Sequence, residues 1–252
     1  SAPYLRVSAS GQMVDRSGRL LYAFLNEEEQ WCLPRALDEI SPHLVRATLA
    51  VEDQRFYSHH GVDAAAVLRA VWQNVRHRTI VSGASTLSMQ VVKRAKRSRR
   101  TLLAKALQAL SAVRLDLRVE KSQILETYLN SAPYGMNLVG CEAASLRYFG
   151  KPARELTLAE AALLAGLPKS PSALMPLENP ERARARRDYV LSRMFEEHLI
   201  DRAEFERAAG MPLKVAWHAF PDLSPHLAMR FRPMIDESGR FRTTLDRRLQ
   251  AA

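Results

Sequence analysis

The stretch AVEDQRFYSHHGVD, Ala50 to Asp63, sets a Glu-Asp pair ahead of an aromatic and histidine run that closes on a glycine. On a helix continued through Phe56, the residues Glu52, Phe56 and His59 stand at i, i+4 and i+7, on one face, while Asp53 points elsewhere. A carboxylate beside an aromatic ring in a partly dry cleft has its proton affinity raised toward the range that a general base or acid requires. The same residues fit an ordinary surface acidic pair near a helix end, with Phe56 in the core and His59 hydrogen-bonded for structural reasons.

A second stretch, SGASTLSMQVVKRAKRSRR from Ser82 to Arg100, carries a different chemistry. On a helix starting near Thr86, the residues Thr86, Gln90, Lys93 and Arg97 form one stripe, and Leu87, Val91 and Ala95 form another. The apolar stripe packs; the polar stripe offers hydroxyl, amide, ammonium and guanidinium groups suited to phosphate oxygens, close to a helix start that favours anions. The turn Ser82-Gly83-Ala84-Ser85 lets a ligand approach the backbone. A solvated basic face, or a cluster for nucleic acid or acidic lipid, fits the same run.

The elements that must hold these residues are mostly helical. Leu44, Ala47, Val51 and Arg55 follow helical spacing, and the pattern predicts a helix that ends near Gly61. Asp63 caps the next, with an apolar face of Val67, Val71 and Val75 and with Leu68 and Trp72 alongside. A third helix starts at about Thr86. A fourth spans Leu102 to Leu117, with Leu103, Leu107, Leu110 and Val113 inward. Ile124, Leu125, Tyr128 and Leu129 mark a fifth over Ser122–Asn130, broken at Pro133 and Gly135. Thr157 to Glu160 reads as a capping box before Ala161–Leu167, which Pro168 stops. Asn179-Pro180 opens an arginine-rich helix to about Leu199, and Asp201 begins a short one that ends at Gly210. Beyond that the helical period fades. Tyr4 to Leu25 reads as a hairpin or two edge strands punctuated by Ser10-Gly11 and Ser17-Gly18, and Phe241–Asp246 reads as a strand. The expectation is a mainly α fold with a small β-containing appendage formed by the chain ends, and no internal repeat.

Bulk composition allows this. With 252 residues, 47% of them hydrophobic, the chain can bury a large core. The balance of 37 Lys+Arg against 27 Asp+Glu, a formal +10, favours anionic partners without choosing among them. Cys32 and Cys141 are too few and too distant for a disulfide framework, and no C-x-x-C or H-E-x-x-H occurs. Cys141 reads as a packed small apolar residue, with no partner histidine nearby. No apolar run approaches the roughly 18 residues that span a bilayer, and the sequence starts without a signal peptide.

Taken together, the two stretches resemble the glycosyltransferase family 51 domains, the peptidoglycan polymerases of class A penicillin-binding proteins. Those domains carry E-D-x-x-F-x-x-H-x-G followed by G-x-S-T-L-x-x-Q-x-x-K, and this chain has EDQRFYSHHG at Glu52–Gly61 and GASTLSMQVVK at Gly83–Lys93. Later signatures follow in order: K-x-x-I-L-E-x-Y-L-N at Lys121–Asn130, the Tyr134-Gly135 step, Leu167 to Ser172, and Arg186 to Leu191. The resemblance covers about residues 35–200 and in detail is similar to the 1C subtype. Two departures stand out. Counting back from Ile124-Leu125-Glu126 puts Gln108 where family members usually carry a second glutamate, and the common Lys-Asn pair is here Lys93-Arg94. Gln108 exchanges hydrogen bonds but cannot take a proton.

The resemblance implies a lysozyme-like helical domain at residues 36–210, a β-rich segment at 1–35, and a linker at 211–252 leading toward a transpeptidase domain. The motifs of that second domain, S-x-x-K, S-x-N and K-T-G, do not occur here. The implied substrate is a lipid-linked disaccharide-pentapeptide pyrophosphate, with a growing glycan strand as donor and inverting transfer as the reaction. Glu52 would be the catalytic base. Lys93, Lys169 and Lys105 would meet the pyrophosphate, with Thr86, Gln90 and Ser172 as hydrogen-bond donors. Asp53 would orient substrate or a neighbouring base, His59 and Phe56 would hold the first helix, and Gln108 would line the site. Lys169 and Ser172 also fit a plain loop lysine and a proline-bounded turn. Arg186, Arg187, Glu126 and Asn130 read as structural. No cofactor is required; a divalent cation such as Mg2+ at the pyrophosphate is compatible with the chemistry.

A lipid substrate implies a membrane. Val92–Leu117 mixes Arg and Lys with leucine-rich turns, which suits the interface of an anionic bilayer and equally suits a core helix beside a basic loop. The implied location is the periplasmic face of the bacterial inner membrane, with other cell-wall synthesis proteins nearby and an anchor outside this sequence. Two other functions fit parts of the pattern: a lysozyme-like glycan-cleaving enzyme using one glutamate as acid or base, and a basic helical nucleic-acid-binding protein using Lys93–Arg100. The phosphate-binding stripe favours a pyrophosphate leaving group over the first. No helix-turn-helix or aromatic RNA-binding signature supports the second.

Overall fold

The structure, a computed structural model, describes residues 4–77, 85–96, 101–235 and 239–246. Ser82, Gly83, Ala84 and Arg97 lie outside these, as do the side chains of Val71 and Val75. Around the core run α1 (Pro42–Glu52), α2 (Ala64–His77), α3 (Leu87–Lys96), α4 (Leu102–Asp116), α5 (Lys121–Ser131), α6 (Cys141–Phe149), α7 (Leu158–Gly166), α8 (Pro180–Glu196) and α9 (Arg202–Gly210). The fold is mainly α, as expected. Helix α7 carries almost nothing but Ala and Leu, so it is apolar all round and sits centrally, against both α1 and α8. Glu160 accepts from the backbone N–H of Thr157 at 2.8 Å, which bears out the capping box. Asp201 likewise accepts from the Glu204 N–H at 2.7 Å to start α9.

Two small sheets flank the helices. In the first, β1 (Gln12–Val14) pairs antiparallel with β2 (Leu20–Ala23) and parallel with β6 (Arg240–Arg242), so the two ends of the chain do share a sheet. The Ser17-Gly18 turn joins β1 to β2: Asp15 accepts from the N–H groups of Ser17 and Arg19, and Gly18 takes φ +80. Met13, Leu21, Phe24 and Ala228 form a separate small core beneath this sheet. The second sheet, ordered β3 (Trp31–Cys32), β5 (Leu138–Val139), β4 (Pro133–Gly135), is not anticipated by the sequence pattern, because strands of two or three residues show no alternation.

Six expectations need correction. Helix α1 stops at Glu52, not near Gly61, because Asp53 leaves helical geometry (φ −163, ψ 76) and Phe56–Ser58 forms a separate 3-10 turn. Helix α8 ends at Glu196, not Leu199, and helical structure returns after Gly210 in α10 (Pro225–Phe231). On α4 the residues Leu103, Leu107 and Leu110 point outward, 72%, 55% and 50% exposed, as does Leu68 on α2 at 72%. The side of α4 that packs instead carries Gln108, Ser111, Ala112 and Leu115. On α3, Ala95 is exposed, and Leu87, Val91 and Val92 make the buried face.

Candidate active site

Ending α1 at Glu52 has a chemical result: the carboxylate sits on the last turn, at the rim of an open cleft, instead of inside a continuous helix face. The cleft encloses about 340 Å³ and is walled by Glu52, Arg55, Arg69, Ser85, Tyr189 and Arg193 among others. Across from Glu52, Gln90 on α3 donates from Nε2 to Glu52 Oε2 at 2.6 Å. These two residues come from the two stretches singled out in the sequence. Lys93 stands three residues beyond Gln90, exposed on the same stripe, about 5–6 Å away at the Cβ level.

Asp53 does not face the cleft with a free carboxylate. It is 7% exposed, Oδ1 lies 2.9 Å from His59 Nε2, and Oδ2 accepts from the N–H of Leu87 at 2.9 Å. That N–H is one of the unpaired donors at the start of α3, where a carboxylate is favoured. Asp53 therefore welds the end of α1 to the start of α3 and fixes the separation of Glu52 and Gln90. Thr86 completes the weld. Its hydroxyl donates to Gly61 O at 2.6 Å and accepts from Met89 N at 3.2 Å, so it is committed to the fold and is no donor for a ligand.

The rest of the first motif serves the same purpose. Phe56 is fully buried, and Lys121 Nζ lies 4.4 Å from its ring centroid while donating to His59 O at 2.7 Å. Lys121 is in turn paired at 2.7 Å with Asp116, whose side chain is fully buried and also accepts from the Ser88 hydroxyl at 2.8 Å. Gly61 takes φ +81, and a Cβ there would stand 2.5–2.6 Å from the backbone of Ala112 and Val113 on α4. Only glycine lets the loop lie on that helix. Phe56 and His59 are thus fixtures behind the site and not parts of one helix face with Glu52.

The remaining predicted residues divide. Gln108 donates from Nε2 to Met89 O at 2.5 Å and is 9% exposed, so it ties α4 to α3 and is not on the wall of this cleft. Lys105, Lys169 and Ser172 are exposed and outside the cleft wall. Glu126 and Asn130 are structural, as read: Glu126 accepts from Leu37 N at 2.9 Å, and Asn130 brackets the backbone of Arg35. Arg187 is 1% exposed and donates to Ala209 O and Met211 O, tethering α8 to the end of α9. Arg186 donates to Gly166 O at 3.2 Å and stacks on Tyr189. Burial weakens its hold on the proton and the nearby Glu52 carboxylate strengthens it, so Arg186 also belongs to the electrostatic surroundings of the site.

Sequence reading missed Arg55, Arg69, Tyr189 and Arg193 as cleft residues; they come from the turn after α1, from α2 and from α8, and no motif singles them out. Burial raises the thiol of Cys32 to about 12 and pushes that of Cys141 higher still, so both are neutral packing residues. Among the described residues no three His, Cys, Asp or Glu side chains converge where a cation could sit, and no step below is routed through one.

Comparison with known proteins adds three findings. A family profile described as "Transglycosylase" matches residues 17–195. The chain is 36% identical over 98% of its length to penicillin-binding protein 1C of Escherichia coli, covering 32% of that protein, and 40% identical over 82% of its length to penicillin-binding protein 1A of Aquifex aeolicus, covering 28%. A crystal structure of penicillin-binding protein 1A from Haemophilus influenzae superposes with a TM-score of 0.50 and 26% identity over 98% of this chain and 28% of that one. The chain therefore spans about a third or less of the relatives it matches.

Proposed function

This chain belongs to the transglycosylase family, the glycosyltransferase family 51 domain of class A penicillin-binding proteins, and from that membership we propose that it polymerises a lipid-linked disaccharide-pentapeptide into glycan strands. Glu52 takes the proton from the acceptor 4-hydroxyl as its oxygen attacks the anomeric carbon of the donor. The bond from that carbon to the lipid pyrophosphate breaks with inversion. The pyrophosphate departs with its added charge countered by Lys93 on the α3 stripe and by Arg69 on the cleft wall, while Lys105 and Lys169, which lie outside that wall, are not assigned to it.

One observation carries the reading. Of the carboxylates on the cleft, Glu52 is the one presented for proton transfer: Asp53 has both oxygens taken, by His59 and Leu87, and Asp63 is 5% exposed with Oδ1 accepting from the N–H of Ala66, whereas Glu52 is half-buried at the rim and bonded through Oε2 to Gln90. Cleavage of a finished glycan, even by a single glutamate, calls for an acid that protonates a poor sugar leaving group. A pyrophosphate leaves without a proton. A single base beside cations is therefore the equipment of transfer.

The partners follow from the lipid. Leu103, Leu107 and Leu110 make an exposed apolar stripe on α4 flanked by the exposed cations Lys105 and Arg114, and we infer that it lies in the head-group region of an anionic bilayer at the periplasmic face of the inner membrane. Among the described residues no helix is long and apolar enough to cross a membrane. The test is direct: incubate the chain with lipid-linked precursor in detergent and separate the products. Glycan polymer is expected; cleavage of preformed glycan without polymer would overturn the reading.

A further inference from the structure

Arg94 follows Lys93 directly on α3, and the proposed transfer gives it no task. Its guanidinium lies over the ring of Tyr128, 4.5 Å from the centroid, and Tyr128 is 1% exposed on α5. The stack fixes the position of the charge. From there Nη2 donates to Gln90 Oε1 at 3.3 Å, while the other end of the same amide, Nε2, donates to Glu52 Oε2 at 2.6 Å. The order of the chain is Tyr128, Arg94, Gln90, Glu52.

A glutamine side chain is a swivel: its oxygen and nitrogen ends are close to the same size and exchange by a half-turn about the last bond. Turned one way it donates to the base; turned the other it sets a carbonyl oxygen against a carboxylate. Arginine has five N–H donors and no acceptor, so only the oxygen end of Gln90 can face it. We propose that Arg94 is a positioning residue which fixes the polarity of the Gln90 amide, so that Glu52 always meets an N–H and keeps one carboxylate oxygen free for the acceptor hydroxyl. This rests on Glu52 being the base of glycosyl transfer. Arg94 itself touches no reacting atom.

Two readouts test it. In polymerisation assays Arg94→Met is expected to lower kcat about tenfold with KM unchanged, since the ground-state contacts to substrate are not altered. Arg94→Lys, which keeps a donor and the charge, is expected to recover most of the loss. In a Gln90→Ala background, Arg94→Met should cost nothing further, because its effect passes through the amide. Full activity in Arg94→Met, or an undiminished loss in the Gln90→Ala background, overturns the proposal. The second readout needs no turnover: the 15N-labelled side-chain amide of Gln90 should give a slowly exchanging, displaced proton pair in the wild type and in Arg94→Lys, and an ordinary solvent-averaged pair in Arg94→Met. An unchanged amide signal in Arg94→Met overturns it even if the wild type makes no polymer, whereas absence of polymer alone overturns the assignment of the base.

Discussion

Asp53 decides where Glu52 stands. Each oxygen of its buried carboxylate is taken, one by His59 and one by the first N–H of α3. Replacing it by alanine leaves two buried polar groups without partners, and the expected loss is about 2–4 kcal/mol in urea unfolding, with polymer formation falling alongside. Lys93→Ala should leave stability within about 0.5 kcal/mol, since the side chain is exposed, yet impair polymerisation severely. Gln108 stands where the domains this chain resembles usually carry glutamate, yet that residue does not suit the packing here. A glutamate there would lose the N–H that Met89 O now accepts and bury a charge against a carbonyl, so Gln108→Glu should destabilise by roughly 1–3 kcal/mol, read by thermal unfolding, without raising the rate. The meeting of Glu52 and Gln90 was legible because a motif fixes residue type and spacing. That Asp53, Thr86 and Gln108 face inward was not, since their partners lie on other elements and no spacing within one segment names them.

At the scale of elements, the loop from Asp53 to Asp63 works because α4 receives it. Gly61→Ala should cost well over 1 kcal/mol and lower activity together with stability, since both its φ and the Ala112 backbone exclude a Cβ. Helix α7, the central element, starts on a bonded cluster: Glu160 accepts from Thr157 and pairs with Lys151 at 2.7 Å. Burial pushes the Glu160 carboxyl up, but Lys151 and Thr157 together push it further down, to a net value below its ordinary 4.5. A depressed folded value means the stabilisation is present above about pH 4.5 and lost as pH falls through the lower value the fold imposes. Glu160→Gln should therefore destabilise by about 1 kcal/mol at neutral pH and flatten the stability curve below pH 4.5, measured by unfolding across pH. Eight of the helices were readable from caps and periodicity, as Thr157, Asn179 and Asp201 illustrate, while α6, which opens on no such signal, and α10, too short to show a period, were not. The facing of α4 was not: its leucines repeat as regularly as a core stripe, and periodicity gives a face without saying whether protein or lipid covers it.

For the whole molecule, an excess of ten positive charges and an exposed leucine stripe both suit the anionic bilayer proposed as the partner. Binding to vesicles containing anionic lipid should fall at least tenfold in a Leu103→Glu, Leu107→Glu double variant and weaken with salt in the wild type, measured by co-sedimentation. Equal binding of the double variant would remove α4 as the contact. The fold class was legible from the density of helical patterns, and the joining of both chain ends in one β-containing appendage was expected, while the parallel pairing of β6 with β1, which brings residues more than two hundred positions apart into register, was not named by any local pattern. The central claim is that one carboxylate, held at a cleft by a weld between two helices, accepts the proton that drives chain growth. The most direct test is polymer formation from lipid-linked precursor by Glu52→Gln under single-turnover conditions. A rate lower by roughly a hundred- to ten-thousandfold, with precursor binding and unfolding unchanged, is the predicted result; polymer made at the wild-type rate would contradict the account.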